Sequence, residues 1–192
     1  MSKNMEKRNI YAAGDFKVRA EPEGGGKYIE GYFAVFNQRT ELWRGFYEEI
    51  APEAFDESLK NNDIRCLFNH NSDVVMGRTA AGTLTLKKDA HGLFGSVHIN
   101  EDDKQALDIY ARVARRDISG CSIGFYPIKE EYTELDNGDV LCRVLDVDLS
   151  EVSICTFPAY PQTEIQARER AYAAVTAQRR ENIKRRLEKL KC

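Results

Sequence analysis

The sequence predicts a mainly β domain with a few flanking helices, of the α+β class, followed by a basic helical tail. Three observations predict it. Short runs rich in β-branched and aromatic residues recur between Gly, Asn and Asp turn signals from residue 28 to residue 154. Only two stretches inside that span carry helical spacing. Beyond Pro158 and Pro161 the pattern changes to a capping box, Thr163 to Gln166, with apolar residues recurring as far as Leu190.

Each element has its own local reason. After the turn signal Gly24-Gly25-Gly26, residues 28–36 alternate aromatic and β-branched side chains and read as a strand. Pro52 suits the first turn of a short helix through Phe55 and Leu59. Residues 64–68 form a strand that delivers Asn69 and His70 at its end. Residues 82–86 and 93–99 flank Asp89-Ala90-His91-Gly92 and predict a hairpin. Asn100 is the expected cap of a helix with Ala106, Leu107, Tyr110, Val113 and Ala114 on one side. Phe125 to Ile128 is strand-like. Asp136-Asn137-Gly138 then turns the chain into two further strands, 140–147 and 149–154.

Composition narrows the class. The chain has 192 residues, 42% hydrophobic and 31% charged, which suits one globular domain of 1–161 with an appended segment of 162–192. No run approaches the ~20 apolar residues that span a bilayer, and no N-terminal apolar run has the form of a signal peptide. Five scattered cysteines without a C-x-x-C pair suit reduced thiols in a cytosolic setting. The net charge of −3 divides into +5 for residues 162–192 (nine Lys or Arg against four Glu) and −8 for the remainder.

The chemistry concentrates in few residues. Gly120-Cys121-Ser122-Ile123-Gly124 sets a serine between glycines, and the only histidines are His70, His91 and His98. A nucleophile elbow on an α/β-hydrolase would need a helix after the serine and its histidine later in the chain. Here the histidines come first and a strand follows, so serine catalysis needs another scaffold. Ser122 requires a neutral imidazole to take its proton, and that imidazole requires a carboxylate to fix its tautomer. Glu151, inside the otherwise apolar run 149–157, is the candidate, because a carboxylate there is expensive unless paired. Each residue also has a plainer reading: Ser122 as a small residue in a tight strand, His70 as a satisfied strand-end histidine, Glu151 as a solvent-facing edge residue.

Seven segments, in order, resemble the prohead maturation proteases of tailed phages. They are Gly31 to Asn37, Phe46 to Phe55, Phe68 to Asn71, Val75 to Thr79, Gly82 to Leu84, Ser119 to Phe125 and Glu151 to Tyr160. Asn69-His70 with Gly77-Arg78 is similar to a spacing in herpesvirus assemblins. The resemblance implies a herpesvirus-protease-like antiparallel β-barrel ringed by helices, with His70 as general base, Ser122 as nucleophile and Glu151 orienting His70. Assemblins use a second histidine in that third role, and none follows His98 here. Ser119 is the rival nucleophile, and Arg78 reads as an oxyanion-site residue or as a structural ion pair. The implied activity is a serine endopeptidase that needs no cofactor. The resemblance implies that it cleaves the scaffold or the N-terminal scaffolding region of the major capsid protein, and itself, inside the assembling prohead in the host cytoplasm.

Competing readings are a cysteine protease using Cys121, a metal site from Cys66, His70, His91 and His98, and a non-enzymatic scaffolding factor. Strand alternation sends Cys121 to the face opposite Ser122, and the four metal-ligating residues lack standard spacing. With Tyr172 as its one aromatic, the tail lacks the interleaving of aromatic and basic residues found in a nucleic-acid binder. It is expected to pack on a partner helix or on a second copy of the chain.

Overall fold

The computed structural model describes residues 8–13, 16–21 and 26–157, together with residue 181. Apart from Glu181, the expected tail lies outside these residues. In chain order the elements are β1 (Arg8–Ala13), β2 (Lys17–Ala20), β3 (Lys27–Val35), β4 (Thr40–Trp43), β5 (Phe46–Ile50), α1 (Asp56–Asn61), β6 (Arg65–Phe68) and β7 (Asn71–Arg78). Then follow β8 (Leu84–Lys88), β9 (Gly92–Ile99), α2 (Lys104–Ala114), β10 (Gly120–Glu134) and β11 (Val140–Cys155).

The mainly β class holds, but the described strands do not close into a barrel. They form two sheets. A larger one runs β1-β10-β11-β5-β4, with β6 on β11 and β7 on β6; a smaller one runs β2-β3-β9-β8. The ladders are not all antiparallel either, since β5 and β6 both pair with β11 in parallel.

The long strand β11 is the reason. Its first residues, Val140 to Val144, take Phe46 to Ile50 as partners, and its last, Glu151 to Ile154, take Arg65 to Phe68. Between the two partners the backbone of β11 would lack hydrogen bonds, a state that buried strands avoid. Ser58 of α1 fills the gap. Its Oγ donates to the Val147 carbonyl at 2.6 Å and accepts from the Leu149 amide at 2.9 Å. The Val147 amide in turn donates to the Ala54 carbonyl. The two strands expected over 140–147 and 149–154 are therefore one continuous strand, bent by irregular register near Gly124 and Pro127 of its partner β10.

Alternation sorts the side chains. On one face of β10 and β11, Cys121, Ile123, Phe125, Leu149, Val152 and Ile154 are buried, and the Cys121 thiol reaches the Phe33 carbonyl of the smaller sheet. That face is the core between the sheets. The other face of the same ladder carries Ser122, Gly124, Glu151 and Ser153. Helix α2 buries Ala106, Ile109 and Val113. Its cap is Asp103, whose side chain accepts from the Gln105 and Ala106 amides, rather than the expected Asn100. Asn100 accepts instead from the Asp102 amide in the preceding turn.

Candidate active site

Strand β6 ends in two consecutive residues with left-handed backbone, Asn69 (φ 51°) and His70 (φ 59°). Asn tolerates that region better than most residues, because its short polar side chain bonds locally. Here it bonds to the end of β11: the Thr156 amide donates to Asn69 Oδ1 at 2.8 Å, and Asn69 Nδ2 donates to Thr156 Oγ1 at 3.1 Å. The Asn69 amide also donates to the Ile154 carbonyl. These bonds turn the chain so that the His70 side chain lies over the polar face of β11.

There the His70 Nδ1 is 2.7 Å from Glu151 Oε1. The Glu151 side chain is 4% exposed and that of His70 17%. An ionised carboxylate only accepts, so the Nδ1 nitrogen carries the proton and the Nε2 nitrogen is the basic one. The negative charge of Glu151 also acts on its surroundings. Burial, and then that charge, push the Cys66 thiol well above its usual range and the Cys155 thiol up to about 12.

Ser122 lies on the same face. Its partner across the β10–β11 ladder is Ser153, and Gly124, which has no side chain, sits opposite Glu151. Ser122 is fully buried, and its partner on the other side is Tyr11 of β1. Ser119, by contrast, is exposed and precedes β10. The structure thus brings together His70, Glu151 and the strand face that bears Ser122, and leaves Ser119 outside. This set can hold an imidazole in one tautomer beside a serine-bearing strand, which is the requirement for activating a hydroxyl.

Other expectations resolve differently. Arg78 donates from Nε to both carboxylate oxygens of Asp63, at 3.0 and 2.8 Å, so it is a structural ion pair. Its guanidinium holds the Asp63 carboxyl down to about 2. The four residues weighed as a metal site are dispersed. His98 stacks on Tyr28, with ring centroids 4.7 Å apart, and the edge of His91 meets Tyr32. Among the described residues the donor atoms that do converge belong to Glu48, Glu130 and Cys142, and the Arg8 guanidinium already pairs with both glutamates.

Residues 14–178 match the family model described as caudovirus prohead serine protease. This chain belongs to that family. Among individual family relatives, the prohead protease of Enterobacteria phage HK97 is 29% identical over 154 residues, which is 79% of this chain. The match spans 64% of that relative's own length. The capsid assembly protease of bacteriophage T4 shares the fold with a TM-score of 0.55 at 13% identity, covering 81% of this chain and 100% of the other. The hydrogen bonds also single out Ser153, which the sequence pattern did not: its Oγ donates to Glu151 Oε2 and accepts from the His70 amide. The available signal was the Glu-x-Ser spacing of Glu151 and Ser153, which puts both on one face of a strand.

Proposed function

We propose that this chain is a serine endopeptidase that cleaves capsid-assembly proteins, with Ser122 as nucleophile, His70 as general base and Glu151 as the group that orients His70. The observation that carries the reading is the 2.7 Å contact between His70 Nδ1 and Glu151 on the face that bears Ser122. In the first step His70 Nε2 takes the Ser122 proton as Oγ bonds to the scissile carbonyl carbon. The tetrahedral adduct then collapses, the C–N bond breaks, and the imidazolium returns the proton to the leaving amine. Water hydrolyses the acyl-enzyme by the same route. Glu151 stabilises the imidazolium throughout.

The substrates in this reading are the major capsid protein, the scaffold and the protease itself, cut inside the prohead in the host cytoplasm. No helix among the described residues is long and apolar enough to cross a membrane. The two-sheet body is read as an opened variant of the herpesvirus-protease barrel, supported by the order of His before Ser along the chain. Residues 162–192 act in delivery and self-association rather than in chemistry.

The test is labelling of the purified chain with a biotinylated fluorophosphonate, followed by peptide mass spectrometry. Modification at Ser122 is expected; Ser122→Ala should carry no label at that position and should lose peptide cleavage on the order of the 10⁶-fold typical of nucleophile removal. His70→Ala should be as damaging, and Glu151→Gln inactive or much slower with the fold retained. Label on Ser119 would move the nucleophile. No label on any serine of the folded chain would favour a non-enzymatic assembly factor.

A further inference from the structure

We propose that Ser153 is a positioning residue for the His70–Glu151 pair, a reading that rests on the catalytic roles given above. Ser153 is fully buried in β11, two residues beyond Glu151 and opposite Ser122. Its hydroxyl donates to Glu151 Oε2 at 2.7 Å. Ser153 Oγ in turn accepts from the His70 backbone amide at 3.3 Å. One side chain thus ties the backbone of the base to the carboxylate that orients it. The two carboxylate oxygens divide their work, Oε1 to the imidazole and Oε2 to Ser153.

That division has two effects. With Oε2 held, the carboxylate cannot rotate about its own axis, and Oε1 stays aimed at Nδ1. With the His70 amide held, the left-handed turn at Asn69 and His70 keeps the imidazole over the strand face. Ser153 is not a second nucleophile. Its Oγ lies 3.4 Å from Nδ1, the nitrogen already engaged with Glu151, and its proton is directed to the carboxylate. A nucleophile must present its proton to the other ring nitrogen.

Removing the hydroxyl takes one donor from Glu151, which then leans harder on His70 and favours the imidazolium form. Among the described residues the titratable groups facing that carboxylate are His70 and the Cys66 and Cys155 thiols. Both thiols stay neutral, so of these three His70 is the one that responds.

The experiment follows the rate of fluorophosphonate labelling at Ser122 in the full chain from pH 5 to 9. In Ser153→Ala the maximal labelling rate should fall about 10- to 100-fold, the loss seen on removing the outer hydrogen-bond partners of metal-bound histidines, where the same orienting role is played. The probe concentration at half-maximal rate should change less than twofold. The acid limb of the profile should move to higher pH. Ser153→Thr, which keeps the hydroxyl, should recover most of the rate. If Ser153→Ala is too unstable to purify, Ser153→Cys, a poor donor of similar size, should show the same loss. Wild-type labelling and an unchanged profile in Ser153→Ala, beside a silent Glu151→Gln, would overturn the positioning role. So would failure of Ser153→Thr to recover. If Glu151→Gln and His70→Ala both label like wild type, the catalytic reading itself falls, an outcome distinct from the other two.

Discussion

Cysteine and serine alternate along the same strands here, and their environments set them apart chemically. Cys66, Cys121, Cys142 and Cys155 are all buried. Desolvation first, and then neighbouring carboxylates, raise Cys66, Cys142 and Cys155 above the ordinary thiol range. The thiolate is the reactive form and all four thiols are buried, so iodoacetamide at pH 8 should leave them unmodified in the folded chain and modify them after unfolding. The linkage has a definite sign. Unfolded thiols ionise from about pH 8.5, whereas folded Cys155 holds its proton to about 12. Its contribution to stability is therefore complete below about pH 8.5 and lost as pH rises toward 12. Thermal melts should fall across that window, less so in Cys155→Ala; rapid alkylation of Cys121 in the folded protein would revive the cysteine-protease reading. The opposite facing of Cys121 and Ser122 was legible in the sequence, because two-residue alternation is a local property. The tie from Ser153 to the His70 amide was not, because a turn of left-handed residues brings together positions 83 apart.

At the scale of elements, β1 is fastened by its first residue. The Arg8 guanidinium pairs with Glu130 of β10 and reaches Glu48 of β5 at 3.9 Å, with side-chain exposures of 12%, 15% and 3%. Burial alone would weaken its charge, and the two carboxylates more than restore it. Removing one partner of a buried pair leaves the other charge uncompensated and costs about 3–5 kcal/mol. Arg8→Met should lower the unfolding free energy in urea by about that amount; a loss near zero would mean that the cluster is solvated. Local pattern revealed β3, β6 and the β8–β9 hairpin, whose register pairs Lys88 with Leu93 around the turn at Asp89 to Gly92. It did not reveal β1, β2, β4, β5 or β7. These strands are short or begin with exposed polar residues, such as Asn71, Ser72 and Asp73. Their strand character comes from the neighbour they pair with, as β propensity generally does. The parallel pairing of β5 and β6 with β11 was equally hidden, since periodicity states which face is buried and not which strand lies alongside.

For the molecule as a whole, the candidate site is built entirely from the β body, through β6, β10 and β11. Truncation after Tyr160 should therefore keep fluorophosphonate labelling of Ser122 while reducing incorporation into proheads. Salt should weaken the tail's association, since at 0.1 M screening limits the reach of its +5 charge to about 10 Å. Unfolding of the truncated chain would place part of 162–192 in the catalytic body. The position of β11 also has a temporal meaning. His70 and Ser122 are synthesised well before the strand that carries Glu151 and Ser153, and β5 and β6 have no central partner until that strand emerges. A growing chain at the ribosome thus holds a serine and a histidine with nothing to join them. The contact between His70 and Glu151 therefore forms only once the last strand of the body has been made.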